Sequence, residues 1–452
     1  MDKSCEICLI REGRRITENA ERFPARRPAS FPDAYGLRGA SEMDLKNNEI
    51  TANDNRWKKE IFLFLISQNL SMFGSSVVGF SIIWYITLKT SSGSWITIST
   101  IAALTPQIFI SLWAGVVADR YSRKMIIMLS DGFTALATLA AFAAFHAGFE
   151  SLTLLIAVSF FRSIGGGFQS PAVNALHPQI VPADQLVRIN GINQTLNNIL
   201  LLISPAVGGF ILGTMGIKWT FLIDVSTALL AIVIMAAIRV KAQPRKTAPN
   251  GSIIAELKSG VRYTLDNPLL KTITICCAVS FILITPAAFL SPLMVARNFG
   301  GEVWRLTANE IFWTAGSLLG GAYIAWRGDF HDKVAVIAVS LAGFGIIFTL
   351  MGLTKIFWVF LALDCVAGIF LPFMITAQTV LIQTNTDESY MGRVFSLLQF
   401  VSQGVMPLAI LCFGPLGDLV DIRYIIIVCG LLEALWGIWF KRAAGRAQKL
   451  AS

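Results

Sequence analysis

The feature that most constrains this chain is a series of apolar runs, each about as long as a bilayer is thick. Twelve can be drawn, at about 61–87, 94–117, 125–146, 152–175, 192–214, 220–239, 270–295, 304–325, 334–353, 356–381, 394–416 and 424–440. A helix needs roughly 20 such residues to cross a hydrocarbon core of about 30 Å, where backbone polar groups can bond only to one another. Charged residues make up only 14% of the 452-residue chain and mean hydropathy is +0.63, whereas a soluble domain carries roughly 25% charged residues. Short segments of alternating polarity, the mark of a membrane barrel, are not found. The pattern predicts an all-α membrane protein with 12 transmembrane helices in two six-helix halves.

Loop charge gives the orientation. One set of connections carries Arg120, Arg123, Lys124, Arg188, Arg239, Lys241, Arg245, Lys246, Lys258, Arg262, Lys271, Arg327, Lys333 and Arg393. The other carries only Lys89, Lys218, Arg297, Arg305, Lys355 and Arg423. Basic residues collect in cytoplasmic loops, so the rich set faces inward and both termini are expected inside. The net charge of +9 is accounted for in this way and calls for no nucleic-acid partner. Trp57, Trp84, Trp95, Trp219, Trp304, Trp326 and Trp358 fall near span ends, where amphipathic rings favour the headgroup region.

Residues 1–56 are polar and aperiodic, with Pro24, Pro28 and Pro32 against any helix, and read as a disordered cytoplasmic tail without a cleavable signal. Met43 is an alternative start, which would leave residues 1–42 untranslated. A six-helix half follows at 57–239, a cytoplasmic linker at 240–269, a second half at 270–441 and a short cytoplasmic tail at 442–452. Within the linker, Ile253, Leu257, Val261 and Leu265 recur every four residues beside Glu256, Lys258 and Arg262. This is an amphipathic helix, lying either on the inner membrane face or in solvent.

An internal repeat supports the division. Gly167 and Gly368, Pro171 and Pro372, Gly213 and Gly414, and Gly216 and Gly417 are each 201 residues apart, and Pro205 and Pro407 are 202 apart. Asp184…Arg188 beyond the fourth span is echoed by Asp387…Arg393 beyond the tenth. Two six-span halves in the same sense are a transporter build, with the substrate path where they meet.

Most chemistry other than transport is poorly served. Of seven cysteines, Cys276, Cys277, Cys365, Cys412 and Cys429 lie in apolar runs, where the thiol behaves as a small hydrophobe. Cys5 and Cys8 form a lone CxxC without a second pair, so no metal site is assigned. Three scattered histidines, with no HExxH, GxSxG or Walker A string, argue against a membrane enzyme and an ATP-driven pump.

Between the second and third spans stands Gly115-Val116-Val117-Ala118-Asp119-Arg120-Tyr121-Ser122-Arg123-Lys124. Gly115 would let two helices approach closely. Asp119 can bond to Arg123 or to N–H groups opening the next helix, making a latch for one conformation. Asp131, about two turns into the third span, is expected to couple to this cluster. The string resembles the loop signature G-x-x-x-D-R-x-x-R-[RK] of the major facilitator superfamily, with Ser122 where glycine is common. Arg162-Ser163-Ile164-Gly165-Gly166 is similar to the R-x-x-x-G pattern of proton-coupled members. Pro205-Ala206-Val207-Gly208-Gly209 resembles the end of the antiporter motif, with Ser204 replacing the glycine before proline. Ile180-Val181-Pro182, Leu186…Asn190-Gly191 and Met391-Gly392-Arg393-Val394-Phe395-Ser396-Leu397 look like bacterial macrolide-efflux exporters, over roughly 57–440. That resemblance implies a major facilitator fold in a bacterial inner membrane and export driven by inward proton movement, with no cofactor beyond the proton gradient. The implied partners are a small-molecule substrate, protons and the lipid bilayer, and the implied unit is a monomer. The alternatives are export of a siderophore or lipid-like metabolite, and a non-transporting sensor.

Ionisable residues inside spans are costly and therefore functional candidates. Arg162 and Asp364 lie at similar mid-bilayer depth, and the repeat maps Arg162 onto the neighbour of Asp364. The two could face each other across the cleft, or each be bonded within its own half. Glu310 is a proton candidate, Asp224 reads as a cap or anchor, and Glu433 has no evident partner. Gln68 and Asn69 in the first span could bond substrate or join helices. No acid lies between Ile61 and Leu88, so a first-span proton carboxylate is absent. Phe109, Phe281, Phe289, Phe312 and Phe370 could line an apolar site or simply pack.

Overall fold

The computed structural model describes residues 36–182, 185–240, 253–328 and 330–451, leaving aside the side chains of 36–56, Leu112, Val116, Asp119, Val187, 253–257, Glu388, Ser389, Gln403 and 448–451. Residues 1–35, Asp184, Lys241, Arg245, Lys246 and the side chains of Asp119, Ile253, Glu256 and Leu257 therefore lie outside the described residues.

Among the described residues fourteen helices follow in order: α1 Gly36–Thr90, α2 Gly93–Arg120, α3 Arg123–His146, α4 Leu152–Ile180, α5 Leu186–Thr214, α6 Ile217–Ala237, α7 Ile253–Asp266, α8 Pro268–Phe289, α9 Ser291–Asn298, α10 Val303–Arg327, α11 Lys333–Leu353, α12 Phe357–Thr384, α13 Glu388–Leu419 and α14 Ile422–Ala451. No strand occurs among the described residues. All but the short α7 and α9 are long enough to cross a bilayer. Eleven spans are also apolar enough by composition; the twelfth, α10, has 25 residues but carries Arg305, Glu310 and Arg327. α1 begins at Gly36, inside the stretch expected to be an irregular tail, because no proline follows Pro32 to interrupt it.

Local signals set several ends. Asn267 accepts hydrogen bonds from the N–H groups of Leu269 (3.0 Å) and Leu270 (3.2 Å), with Pro268 at the first helical position, and so opens α8. Asp332 caps α11 through the Ala335 N–H at 2.9 Å. Gly216, at φ +88°, makes the turn from α5 to α6 in a conformation that favours glycine. Pro171 and Pro372 sit inside α4 and α12, at equivalent places in the repeat.

Packing repeats as the sequence does. α4 lies against α2 and α3, and α3 against α6; correspondingly α12 lies against α10 and α11, and α11 against α14. Gly167 meets Gln107 and Ile110 of α2, while Gly368 meets Trp313 and Ser317 of α10. The 201-residue offset therefore relates equivalent helix contacts. The two sets join through α2 with α13 and α5 with α10. Both junctions lie at the end marked by Ser91 and Val420. Gly93 and Gly414 pack backbone to backbone, Thr97 Oγ1 reaches Ile410 O at 3.4 Å, and Gly209 and Gly213 abut Thr307 and Val303. Toward the opposite end, side-chain space at Gly115, Gly191, Gly321, Gly392 and Gly404 is empty within 4 Å. Among the described residues, the close contacts between these helices lie at the Ser91 end.

Two expectations change here. Trp84, expected at the headgroups, is only 1% exposed and packs against Phe80, because α1 continues to Thr90 and leaves it inside. α7 docks one face on the start of α13: Gly260 abuts Arg393, and Tyr263 stacks on Tyr390 at 4.3 Å and donates to Asp387 Oδ2 at 3.1 Å. Leu265 and Arg262 remain exposed.

α11 and α14 close tightly through glycines spaced seven apart on each: Gly345 faces Gly430, Gly352 faces Arg423 and Ile427, and Gly437 faces Ala338 and Ala342. A side chain at Gly345 would enter the backbone at Gly430 and Ala434. Gly345→Leu should therefore cost about 1–3 kcal/mol by overpacking. Thermal unfolding in detergent should show a lowered midpoint, with Gly321→Leu, which meets open space, close to wild type.

Candidate functional site

The polar centre of the first helix set is built from single side chains on four helices. Arg162 of α4 is ion-paired with Asp224 of α6, Nη1 to Oδ2, and also donates to Thr138 Oγ1 of α3. Its second nitrogen reaches Asp224 Oδ1 and the Ser75 carbonyl of α1, both at 3.4 Å. Thr138 donates to Asp224 Oδ2 at 2.8 Å and Ser75 Oγ to Oδ1 at 3.4 Å. The side chains of Arg162 and Asp224 are 10% and 1% exposed. A guanidinium at such depth is tolerated because a carboxylate and hydroxyls satisfy it.

A second tier lies on the same helices. Asp131 Oδ1 accepts from Ser71 Oγ at 2.5 Å and from Gln169 Nε2 at 2.7 Å. Ser71 and Ser75 are four apart, Asp131 and Thr138 seven, and Arg162 and Gln169 seven, so each helix presents one face to both tiers. Gly74 between the serines lets α1 approach Asp224 and Thr227, and Gly165 lets α4 approach Ser130 and Thr134. Asp131 Oδ2 has no hydrogen-bond partner among the described residues.

This arrangement decides between the two readings of Arg162 and corrects the expectations for Asp224 and Asp131. Arg162 bonds within its own half, to Asp224, and not across the cleft to Asp364. α4 and α6 enter from the same end, so seven residues into α6 places Asp224 within reach of a long Arg162 side chain. Asp224 is thus the partner of Arg162 and not an end cap. Asp131 joins Ser71 and Gln169 inside the membrane and not the loop cluster, since two helical turns carry it about 12 Å from Arg123.

In the loop itself, Arg123 donates to Ala175 O (2.7 Å) and Ala118 O (3.3 Å). Lys124 donates to Ala236 O and Ile238 O, both at 2.7 Å. These cations cap carbonyls at helix ends of their own half. Arg120 is exposed. Side-chain space at Gly115 meets nothing within 4 Å among the described residues.

In the second set, Asp364 of α12 is 4% exposed and its Oδ2 has no hydrogen-bond partner among the described residues, with Glu310 on the adjacent helix α10. Glu433 is fully buried beside Ser280 and Cys276, with neither oxygen hydrogen-bonded among the described residues. Gln68 Nε2 is buried without a partner, whereas Asn69 Nδ2 bonds back to Leu65 O at 2.7 Å. Phe281, Phe289, Phe312 and Phe370 pack on the core, and Phe109 is exposed. In the antiporter-like stretch, Pro205 lies inside α5, Gly208 faces Val77 of α1 and Gly209 faces Thr307 of α10. Asn190 and Gln194 on α5 and Ser396 and Gln399 on α13 are exposed toward the end that carries Arg123 and Lys124, and Gln194 Nε2 donates to Asn198 Oδ1 at 3.3 Å.

Ser71, Ser75, Thr138 and Gln169 were not singled out by sequence. Their signal was available: polar residues at helical spacing beside each intramembrane charge.

A chain with this build is a membrane transporter and not an enzyme. It belongs to the Major Facilitator Superfamily, whose model matches residues 64–409. Macrolide efflux protein A of Streptococcus pyogenes is 28% identical over 382 residues, covering 84% of this chain and 94% of that one. The multidrug efflux pump Tap of Mycobacterium tuberculosis is 21% identical, covering 81% and 88%. Among solved structures, a POT family transporter superposes with a TM-score of 0.67 at 12% identity, over 86% of this chain and 96% of that one.

Asp224→Ala should destabilise the protein by about 3–5 kcal/mol, because it strands a buried cation. Arg162→Met in that background should recover much of the loss. A double-variant cycle of thermal unfolding in detergent reads the coupling.

Proposed function

We propose that this protein is an exporter that moves an amphipathic small molecule, macrolide-like in character, out of the cell in exchange for protons, by alternating access as a monomer in a bacterial inner membrane. One observation carries the reading: the close contacts between halves lie at the Ser91 end, while Gly115, Gly191, Gly321, Gly392 and Gly404, toward the end where Arg123, Lys124, Lys258, Lys333 and Arg393 lie, meet nothing within 4 Å among the described residues. Loop charge makes that end cytoplasmic, with both termini inside. The conformation is then inward-facing, ready to receive cargo from the cytoplasm. The similarity to relatives named as efflux proteins supports export as the direction.

Each residue has a part in this reading. Asn190, Gln194, Ser396 and Gln399 form a polar vestibule, and Gln68 offers a hydrogen bond deeper in. The carboxyls of Asp364 and Glu310, close together in low dielectric, are the proposed proton carriers. The Arg162–Asp224 pair holds the first half rigid while Asp131, with one oxygen unpartnered, supplies a second proton site. Gly115, Asp119, Arg120, Arg123 and Lys124 serve the opposite conformation. There α2 would close on α13 at its cytoplasmic end, and the glycine that now faces open space would be packed.

Asp364→Asn should lower proton-coupled efflux by at least about tenfold while leaving membrane insertion intact. The check is macrolide susceptibility and initial efflux rate in a host lacking its own exporters, with and without a protonophore. Wild-type rates in the variant would remove Asp364 from the mechanism, and protonophore-insensitive efflux would remove the proton.

A further inference from the structure

The first turn of α2 has a cap that its own sequence does not provide. Ser92, at the N-cap position, makes no side-chain capping bond to its own helix. The open N–H groups are met by Asp418, more than three hundred residues away at the end of α13. Gly93 N–H donates to Oδ1 at 2.7 Å, and Ser94 N–H to Oδ2 at 2.9 Å. The hydroxyls of Ser92 and Ser94 donate to Oδ2 at 2.8 and 2.6 Å. Arg297, following α8 on α9, donates to Oδ1 at 3.0 Å. The same guanidinium holds Ser91 O, at 3.0 Å from Nε and 2.5 Å from Nη2, and Gly417 O at 2.6 Å.

We infer that Asp418 is the gate residue of the outer side: it closes the transporter by capping α2 from the other half, with Arg297 clamping the same joint. The physical case has three parts. Helix N-termini carry unsatisfied N–H groups and partial positive charge, which a carboxylate stabilises strongly. The bonds are charge-assisted and act together on one group, so the joint is made or broken as a unit. The bonds from Ser92, Gly93 and Ser94 to Asp418 and from Arg297 to Ser91 O cross between halves and are lost when α2 separates from α13, while Arg297 keeps its bonds to Asp418 and Gly417 within the second half. Such a joint is bistable, as a gate must be. The backbone contact of Gly93 with Gly414 lies directly beside it and brings the carboxylate within reach. Calling this end outer rests on the proposed export function; the contact between halves does not.

Hydrogen exchange of the purified full-length protein, followed by mass spectrometry, tests the gate. Peptide 91–98 contains the capped amides. Peptide 303–309 lies at the α5–α10 junction, which Asp418 does not touch but which must open with the gate. Asp418→Asn should accelerate exchange in both by about tenfold or more, while Asp418→Glu, which keeps the charge, should remain nearer wild type. Faster exchange confined to 91–98 would make Asp418 a local cap and overturn the inference, as would no change in either. If Asp418→Asn does not fold, Arg297→Gln and the Ser92→Ala, Ser94→Ala pair decide by the same two peptides. Opening at both peptides in a wild-type background that exports nothing would keep the gate and remove the exporter reading.

Discussion

The first half depends on the ion pair between Arg162 and Asp224. A guanidinium placed mid-bilayer would be intolerable alone, and its five donors need acceptors from several directions. Asp224 supplies the charge, and Ser75 and Thr138 share its oxygens, so four helices meet on one buried site. Gly74 and Gly165 follow from this, because the backbones must come close for short polar side chains to reach. The tier at Asp131 repeats the logic nearer the charge-rich end with a carboxyl and no cation.

The second half has the same packing but different chemistry. Its equivalent helices close through glycine, with Gly316, Gly320 and Gly368 sealing α10 against α12. Its carboxyls Asp364 and Glu310 lie on the adjacent helices α12 and α10, and Asp364 Oδ2 has no partner among the described residues. One half is thus locked by paired charge, while the other holds the acids proposed to carry protons, with Asp131 of the first half as the proposed second site.

The junction between halves uses two materials. Small residues at Gly93, Gly209, Gly213 and Gly414 permit contact, and Asp418 with Arg297 gives it direction and strength. Among the described residues, the other ends of the same helices show no comparable contact, and Asn190, Gln194, Ser396 and Gln399 are exposed there. The asymmetry is what the proposed inward-facing state of a two-state molecule should look like.

The sequence by itself determined the class of fold, the number of spans and the family, because the bilayer permits few solutions and charge marks its two sides. It also exposed the repeat, since glycines and prolines at one offset record equivalent helix contacts. It placed Arg162, Asp131 and Asp364 inside the membrane as residues that needed an explanation. Only the tertiary structure decided their partners: Asp224 for Arg162, Ser71 and Gln169 for Asp131, Asp418 for the start of α2. Periodicity reports which face of a helix is polar, not which neighbour it meets. Partners far apart in sequence depend on helix order and rotation, which composition and spacing do not encode. The same reason hid the packing of Trp84 and the open space at Gly115, for both depend on which helices are in contact in this conformation.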